Sequence, residues 1–402
     1  MTPHQETYSF AQSIPFNLVI SVVTIIMLIS KKELRKIPKN TVSYCMMFLL
    51  VWTSITTMNA YDVDWSYKIW DMTTKSFVFM FLIMASAYNK VRIHSLVWIM
   101  VASLGFFGVK GGLFTIITAG TFKVVGSANT MLFDNNSCAL ALVLTLPLVN
   151  YLRIQSKLRL IRIAMAGVMV LQIVSVIGSY SRGGMVSLAF MVGLLWWSSK
   201  NKVTMAVLGV AILGVGLSMM PDSFWERMNS VHDAAAGKDE SFQGRVNAWY
   251  VAVYYAIDHF PIGAGFYGPQ LPGIFNYYLP GQEPHAAHSI YFQVLGEHGF
   301  PALFVYLVML AAAIFNFQYV MREAKGWVGW EWIVNLANMC RVSLLSFYLG
   351  ASALSMAYYD VMMTLLTLSV ILRKMTETHK KEPGRDALDG EVGFRRGYSE
   401  GM

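Results

Sequence analysis

Long apolar runs separated by short polar connections fill almost the whole chain, and most run long enough for a helix to cross a hydrocarbon core of roughly 30 Å, about 17 to 25 residues each. The pattern predicts about eleven helices, near residues 14–30, 42–57, 73–88, 94–109, 137–152, 162–180, 184–198, 203–220, 289–318, 335–356 and 358–373. The fold class expected is an all-α polytopic membrane protein with about 11 (10–12) transmembrane helices. One connection stands apart in length: residues 221–287 separate the eighth run from the ninth.

Cations fix the orientation, because Lys and Arg in short loops stay on the cytoplasmic side. If every run crosses once, Lys31 to Lys36, Lys90 and Arg92, Arg153 to Arg162, Lys200 and Lys202, Arg322 and Lys325, and Arg373 and Lys374 share one side. Asp62, Asp64 and Asp71, then Asp134, then the 221–287 loop share the other. The N-terminus is therefore expected outside and the C-terminus inside.

Within the long loop, Asp222 to Met228 reads as a capped helical turn, Gly237 to Ser241 as a polar break, and Arg245 to His259 as an amphipathic helix rich in Trp and Tyr. Pro261 to Pro284 reads as an irregular Pro/Gly-rich lid. The domain expectation is a single membrane domain over 1–373, with 221–287 as its extracytoplasmic loop and 374–402 as a disordered cytoplasmic tail, since that stretch lacks apolar periodicity. No cleavable signal sequence is expected, since a basic cluster follows the first run.

Composition agrees with a lipid environment: 55% of residues are hydrophobic and only 13% charged, and the mean hydropathy is +0.49. The net charge of +8 does not point to nucleic acid, because the basic residues mostly flank helices, where they set topology and meet anionic headgroups. Cys45, Cys138 and Cys340 all lie in predicted helices without CxxC spacing, so neither a disulfide nor a zinc site is implied.

Charged side chains at membrane depth persist where they line a polar cavity or meet a partner. Arg182 sits between two predicted helices with Gly183 and Gly184 behind it, and Arg245 opens the loop helix on the same side. Two guanidiniums facing one cavity suit a diphosphate; the alternative is that each reaches headgroups or pairs with Asp222 or Asp239. His288 stands at the mouth of the ninth helix, where a histidine serves as a general base or as a hydrogen-bonded structural group. Its neighbours His285, Glu297 and His298 are further candidates, and Glu297 lies more than two turns along the helix. No HExxH or Asp-rich pair supports a metal, so metal and cofactor are both expected absent.

The run Ser179-Tyr180-Ser181-Arg182-Gly183, then Gly244-Arg245 with Trp249 downstream, then His288 followed by Leu295, Glu297 and Gly299, resembles the O-antigen ligase and O-antigen polymerase superfamily. Gly105 to Ile116, with Lys110-Gly111-Gly112 at its centre, and Asp134-Asn135-Asn136 after it are similar to the exosortase A-associated O-glycosylation ligase branch. The resemblance spans Phe10 to about Arg373. Two departures accompany it. Ser289 follows His288 where relatives commonly carry Asn, and Met1-Thr2-Pro3-His4 resembles an internal stretch of longer relatives.

The resemblance implies a bacterial inner-membrane glycosyltransferase of the GT-C general type, with its site on the periplasmic face. Its donor would be an undecaprenyl-diphosphate-linked glycan and its acceptor a lipid, a protein or a polysaccharide. Carried over by motif, Arg182 and Arg245 would hold the diphosphate, and His288 would activate or orient the acceptor hydroxyl. Lys110 and Asp134 are secondary candidates, expected in a re-entrant or interfacial segment 110–136; a plain turn with Asp134 capping the next helix is the alternative. A polymerase joining two lipid-linked glycans, and a transporter of such glycans, are the competing functions.

Overall fold

The computed structural model describes residues 16–31, 33–127, 130–198, 201–203, isolated positions from 207 to 218, 220–229 and 240–382. The described elements are α1 (Phe16–Ser30), α2 (Thr41–Met58), α3 (Val63–Ser86), α4 (Lys90–Ile117), α5 (Asn135–Gln155), α6 (Arg159–Gly178), α7 (Arg182–Ser198), α8 (Asp222–Asn229), α9 (Glu240–Asp258), α10 (Pro272–Tyr278), α11 (Ile290–Glu323), α12 (Glu331–Gly350) and α13 (Asp360–Lys381), with short 3-10 turns at Gly268–Gln270 and Ala351–Ala353. Among these residues, seven helices are long and apolar enough to cross a membrane: α2 to α6, α11 and α12. The predicted helix at 203–220 falls mostly outside the described residues, as does Gly237 to Asp239 of the predicted break.

The centre of the bundle is read from which helices hide all round. The most apolar window of α5 is 83% buried and that of α6 only 22%, so α5 is wrapped by protein while most of α6 is left for lipid. Around α5 pack α4, α6, α7 and α12, and α11 joins α2, α12 and α13 in the second half. The first part of α13 is buried from Met362 to Leu372.

Glycines set the closest crossing. A Cβ at Gly112 would stand 2.2 Å from the Leu171 carbonyl oxygen, one at Gly111 2.3 Å from Ser175 Oγ, and one at Gly108 2.2 Å from the Gln172 side chain. Small residues let helix backbones approach in lipid, where no hydrophobic force drives them together. This corrects the expectation for Lys110. Lys110-Gly111-Gly112 is helical, within an α4 of 28 residues that at 1.5 Å per residue is about 42 Å long, beyond the roughly 30 Å core. The non-helical stretch starts only after Ile117, and the glycines are contacts with α6, not helix breakers.

Other boundaries move as well. Helix α3 begins at Val63, ten residues before the predicted 73, so Asp64 and Asp71 are helical and not in a loop. The loop helix α9 begins at Glu240, ahead of Arg245. The lid between Pro261 and Pro284 contains a 3-10 turn and α10. At the C-terminus α13 continues past Arg373 to Lys381, held by Lys380 pairing with Glu323 and by His379 against Trp327 and Trp330. The predicted tail therefore starts with two further helical turns.

The connections gather at two ends. At one, Arg35 N–H donates to the Ala85 carbonyl, Arg92 pairs with Glu33, and Asn316 joins Asn40, Ser369 and Arg373. At the other, Tyr61 N–H donates to the Ala264 carbonyl and Val124 N–H to the Gly178 carbonyl, the Tyr180 hydroxyl donates to the Gly120 carbonyl, and Phe266 N–H donates to Ser66 Oγ. Basic loops dominate the first end, and the candidate site lies at the second.

Candidate active site

Asp134 accepts hydrogen bonds from Asn136 and Ser137 N–H and so caps α5, satisfying two donors that a helix start leaves open. The next residue, Asn135, donates from Nδ2 to the Ser179 carbonyl at 2.7 Å. That bond ties the start of α5 to the turn before α7, where Ser181 Oγ accepts from Gly184 N–H and Arg182 is the first residue of the helix. Gly184 is needed there, because a Cβ would meet that of Ala139 at 2.7 Å. Tyr180, two residues before Arg182, has φ of +60°, an unfavourable backbone for a bulky side chain. It is held by its hydroxyl bond to Gly120 and by edge-on packing against Phe224 of α8.

Arg245 arrives from the opposite direction, on α9. The Trp249 indole, one turn on, donates to the Ala287 carbonyl at 2.6 Å and stacks on Phe292 with centroids 5.0 Å apart. This clamps α9 along the start of α11 and holds the peptide before His288. His288 itself has φ of +42°. His285 lies on the Gly244 backbone, where a Cβ would be 2.7 Å from the imidazole.

His288 is half-buried. Burial first, and then the Arg245 and His285 charges, hold its imidazole below the ordinary value of 6.5, while Asp134 pulls in the opposite direction. Arg245, Asp134 and His285 therefore share one electrostatic neighbourhood with His288, and the Asn135–Ser179 bond links it to the Arg182 turn. A neutral imidazole at neutral pH is an acceptor for a proton, and a guanidinium beside it is an anchor for a phosphoryl oxygen.

Residues 167–307 match the O-antigen ligase family. Residues 1–157 match a family of unknown function, DUF5935. No curated protein matches the chain. The ligase segment contains Arg182, Arg245, His285, His288 and Glu297, whereas Lys110 and Asp134 lie in the other matched segment. The O-antigen ligase match supports that superfamily and a glycosyl-transferring membrane enzyme. The two segments pack together along whole helices, α4 and α5 on α6 and α2 on α11, and Asn135 bonds Ser179 across them near the Arg182 turn.

Two candidates stand apart from this cluster. Lys110 is exposed on α4, one face of which is spent on α6. Glu297 is buried within α11, together with His298. His298 Nδ1 lies 2.6 Å from Thr56 Oγ1, and its carbonyl accepts from the Trp52 indole, so its role is to join α11 to α2. The sequence signals passed over were Gly299 and Pro301. Gly299 has φ of +77° and breaks α11, and Pro301 has no N–H to give the Glu297 carbonyl.

Proposed function

We propose that the chain is a membrane glycosyltransferase that moves a glycan from undecaprenyl diphosphate to an acceptor hydroxyl at the extracytoplasmic face of the bacterial inner membrane. The observation that carries this reading is that α9, which bears Arg245, is clamped by the Trp249–Ala287 bond onto the peptide before a half-buried His288, within the segment that matches O-antigen ligases. In it, Arg182 and Arg245 hold the diphosphate and stabilise the charge that grows on it as the glycosidic bond breaks. His288 takes the proton of the attacking hydroxyl, and in-line attack inverts the anomeric centre. Two guanidiniums supply the positive charge that a divalent ion supplies elsewhere, so the transfer is independent of metal.

The same reading makes 1–373 a single membrane domain. It takes the seven long apolar helices, with α1, α7, α13 and the apolar run at 203–220 expected from the sequence, as eleven crossings with 221–287 outside. The exosortase-associated branch is retained on the Lys110 to Asn136 block alone. Polymerisation, with a second lipid-linked glycan as acceptor, is the competing outcome, since it uses the same donor chemistry.

The test is transfer by purified protein in lipid, with labelled undecaprenyl-diphosphate oligosaccharide, an envelope acceptor fraction and EDTA. Label appearing on a new acceptor supports the ligase. A ladder of lengthened lipid-linked glycan makes it a polymerase, and donor that crosses the bilayer unchanged overturns both.

A further inference from the structure

The break in α11 leaves carbonyls without their helical partners, and donors from outside the helix take them. The Gly296 carbonyl accepts from Ala264 N–H and the Glu297 carbonyl from Gly265 N–H, both at 2.9 Å. The His298 carbonyl accepts from the Trp52 indole at 2.8 Å. Buried backbone groups must be satisfied, so the segment after α9 completes α11 at its break. The fit is close: a Cβ at Gly263 would stand 2.5 Å from the Glu297 carbonyl carbon, and one at Gly299 would stand 2.2 Å from the Pro261 carbonyl oxygen.

One side chain adds to this backbone dock. Glu297 is 5% exposed, and its Oε1 accepts from Tyr267 N–H at 3.1 Å and from Gln293 Nε2 at 3.4 Å. Tyr267 has φ of +65°, a left-handed turn that a bulky residue keeps only when its surroundings hold it. Glu297 Oε2 faces His298 Nε2 at 3.8 Å and the Tyr358 hydroxyl. Gln293 in turn accepts from Ala357 N–H, whose carbonyl takes the Tyr306 hydroxyl. The carboxylate thus gathers donors from the lid and from its own helix, and Gln293 ties it to the segment before α13.

We propose that Glu297 is a positioning residue: its carboxylate pins the left-handed turn at Tyr267, locks the lid onto the break in α11, and so fixes the end of α9, and with it Arg245, relative to His288. The dock and the Trp249–Ala287 bond hold α9 at two places. Because Glu297 is buried below the site, it acts through the lid and not on substrate. The effect on transfer rests on the function proposed above, whereas the effect on α9 does not.

The experiment compares Glu297→Gln with Glu297→Leu in the full chain, in lipid nanodiscs, with spin labels at the exposed positions Tyr250 on α9 and Phe304 on α11. Gln keeps a carbonyl for Tyr267 N–H and leaves a narrow distance distribution, while Leu removes the acceptor and broadens it. In parallel, Leu raises the donor KM about tenfold, the cost of one buried hydrogen-bonded partner, with the acceptor KM unchanged. Should Leu not fold, Glu297→Asp, one methylene too short to reach Tyr267, carries the same expectation. A Leu or Asp variant with native distances and donor KM overturns the proposal, and so does a Gln variant as broad as Leu. Native protein that gives no transfer while its α9 distances respond to Leu would overturn the transferase reading and leave the dock standing.

Discussion

The two ends of the bundle handle polar groups and backbone strain in different ways. At the basic end polar side chains close on one another: Arg373 donates to Asn316 and to Glu377, Asn316 donates to Asn40 and Ser369, and His94 meets the Tyr151 hydroxyl. At the other end side chains bond mostly to backbone, Asn135 to the Ser179 carbonyl and Tyr180 to the Gly120 carbonyl, and Ser289 Oγ is buried without a hydrogen-bond partner. All four non-glycine residues with positive φ among the described residues, Ala119, Tyr180, Tyr267 and His288, lie at that end too. Backbone strain persists only where surrounding structure over-determines it, and it clusters at functional sites. The basic end closes on itself, and the strained end holds the proposed site.

The sharpest way to break this comparison is to remove charge at each end and ask what is lost. Arg182→Ala, Arg245→Ala and His288→Ala lower glycan transfer by about a hundredfold or more, as expected when a group that stabilises transition-state charge or moves a proton is deleted. Arg92→Ala, at the basic end, removes a pair that is about one-third exposed on both sides; such pairs contribute about 1 kcal/mol or less, so transfer stays near native. Equal losses at both ends in the same transfer assay would sink the distinction.

The next largest effect is on folding. Gly112→Ala places a Cβ 2.2 Å from the Leu171 carbonyl, a backbone atom that moves only if α4 and α6 part. Overpacking of this kind costs about 1–3 kcal/mol or more, and a lowered unfolding midpoint in detergent measures it. Gly183→Ala, where nothing lies within 4 Å of the new Cβ, leaves that midpoint unchanged.

That pair of glycines also marks what the sequence conceals. Spanning helices are legible because lipid forces each to satisfy its own backbone and to be apolar outside, and α2, α5 and α6 fall close to where periodicity puts them. Gly111 and Gly112 fall in the segment expected to be re-entrant or interfacial, yet they are helical and form the contact on which α6 sits. The extension of α13 to Lys381 was hidden for the opposite reason: its last turns are polar, and Trp327 and Trp330 hold them through His379. At the site, residue types pointed to Arg182, Arg245 and His288, but no spacing along the chain brings residue 245 to residue 288. The Trp249–Ala287 bond and the Glu297 dock do that, and neither is visible before folding. Lys110 and Asp134 entered together as neighbours of one motif and parted in space, one onto the α4 surface and the other into the field of His288.

Trp249→Phe tests the clamp with a smaller change. The ring still stacks on Phe292, while the N–H to the Ala287 carbonyl is gone. One hydrogen bond is worth about 0.5–1.5 kcal/mol, which corresponds to a loss of transfer of roughly three- to tenfold. An unchanged unfolding midpoint would assign that loss to the placement of His288 and not to the fold.

The smallest effect concerns charge alone. His288 is held below its ordinary value by burial and by Arg245, and Asp134 opposes them. A histidine lowered in the folded state contributes full stability above its ordinary value of 6.5 and loses it as pH falls from there toward the folded value, because the unfolded chain takes up the proton first. The base form follows the same order, so the acid limb of the rate lies below that of a free imidazole. Asp134→Asn removes a charge that favours the protonated ring while keeping an oxygen to cap α5. The acid limb then moves to still lower pH with little change in the plateau rate. A limb that moves upward would mean that Asp134 does not act on His288 through charge, and a plateau that collapses would mean that its carboxylate touches substrate.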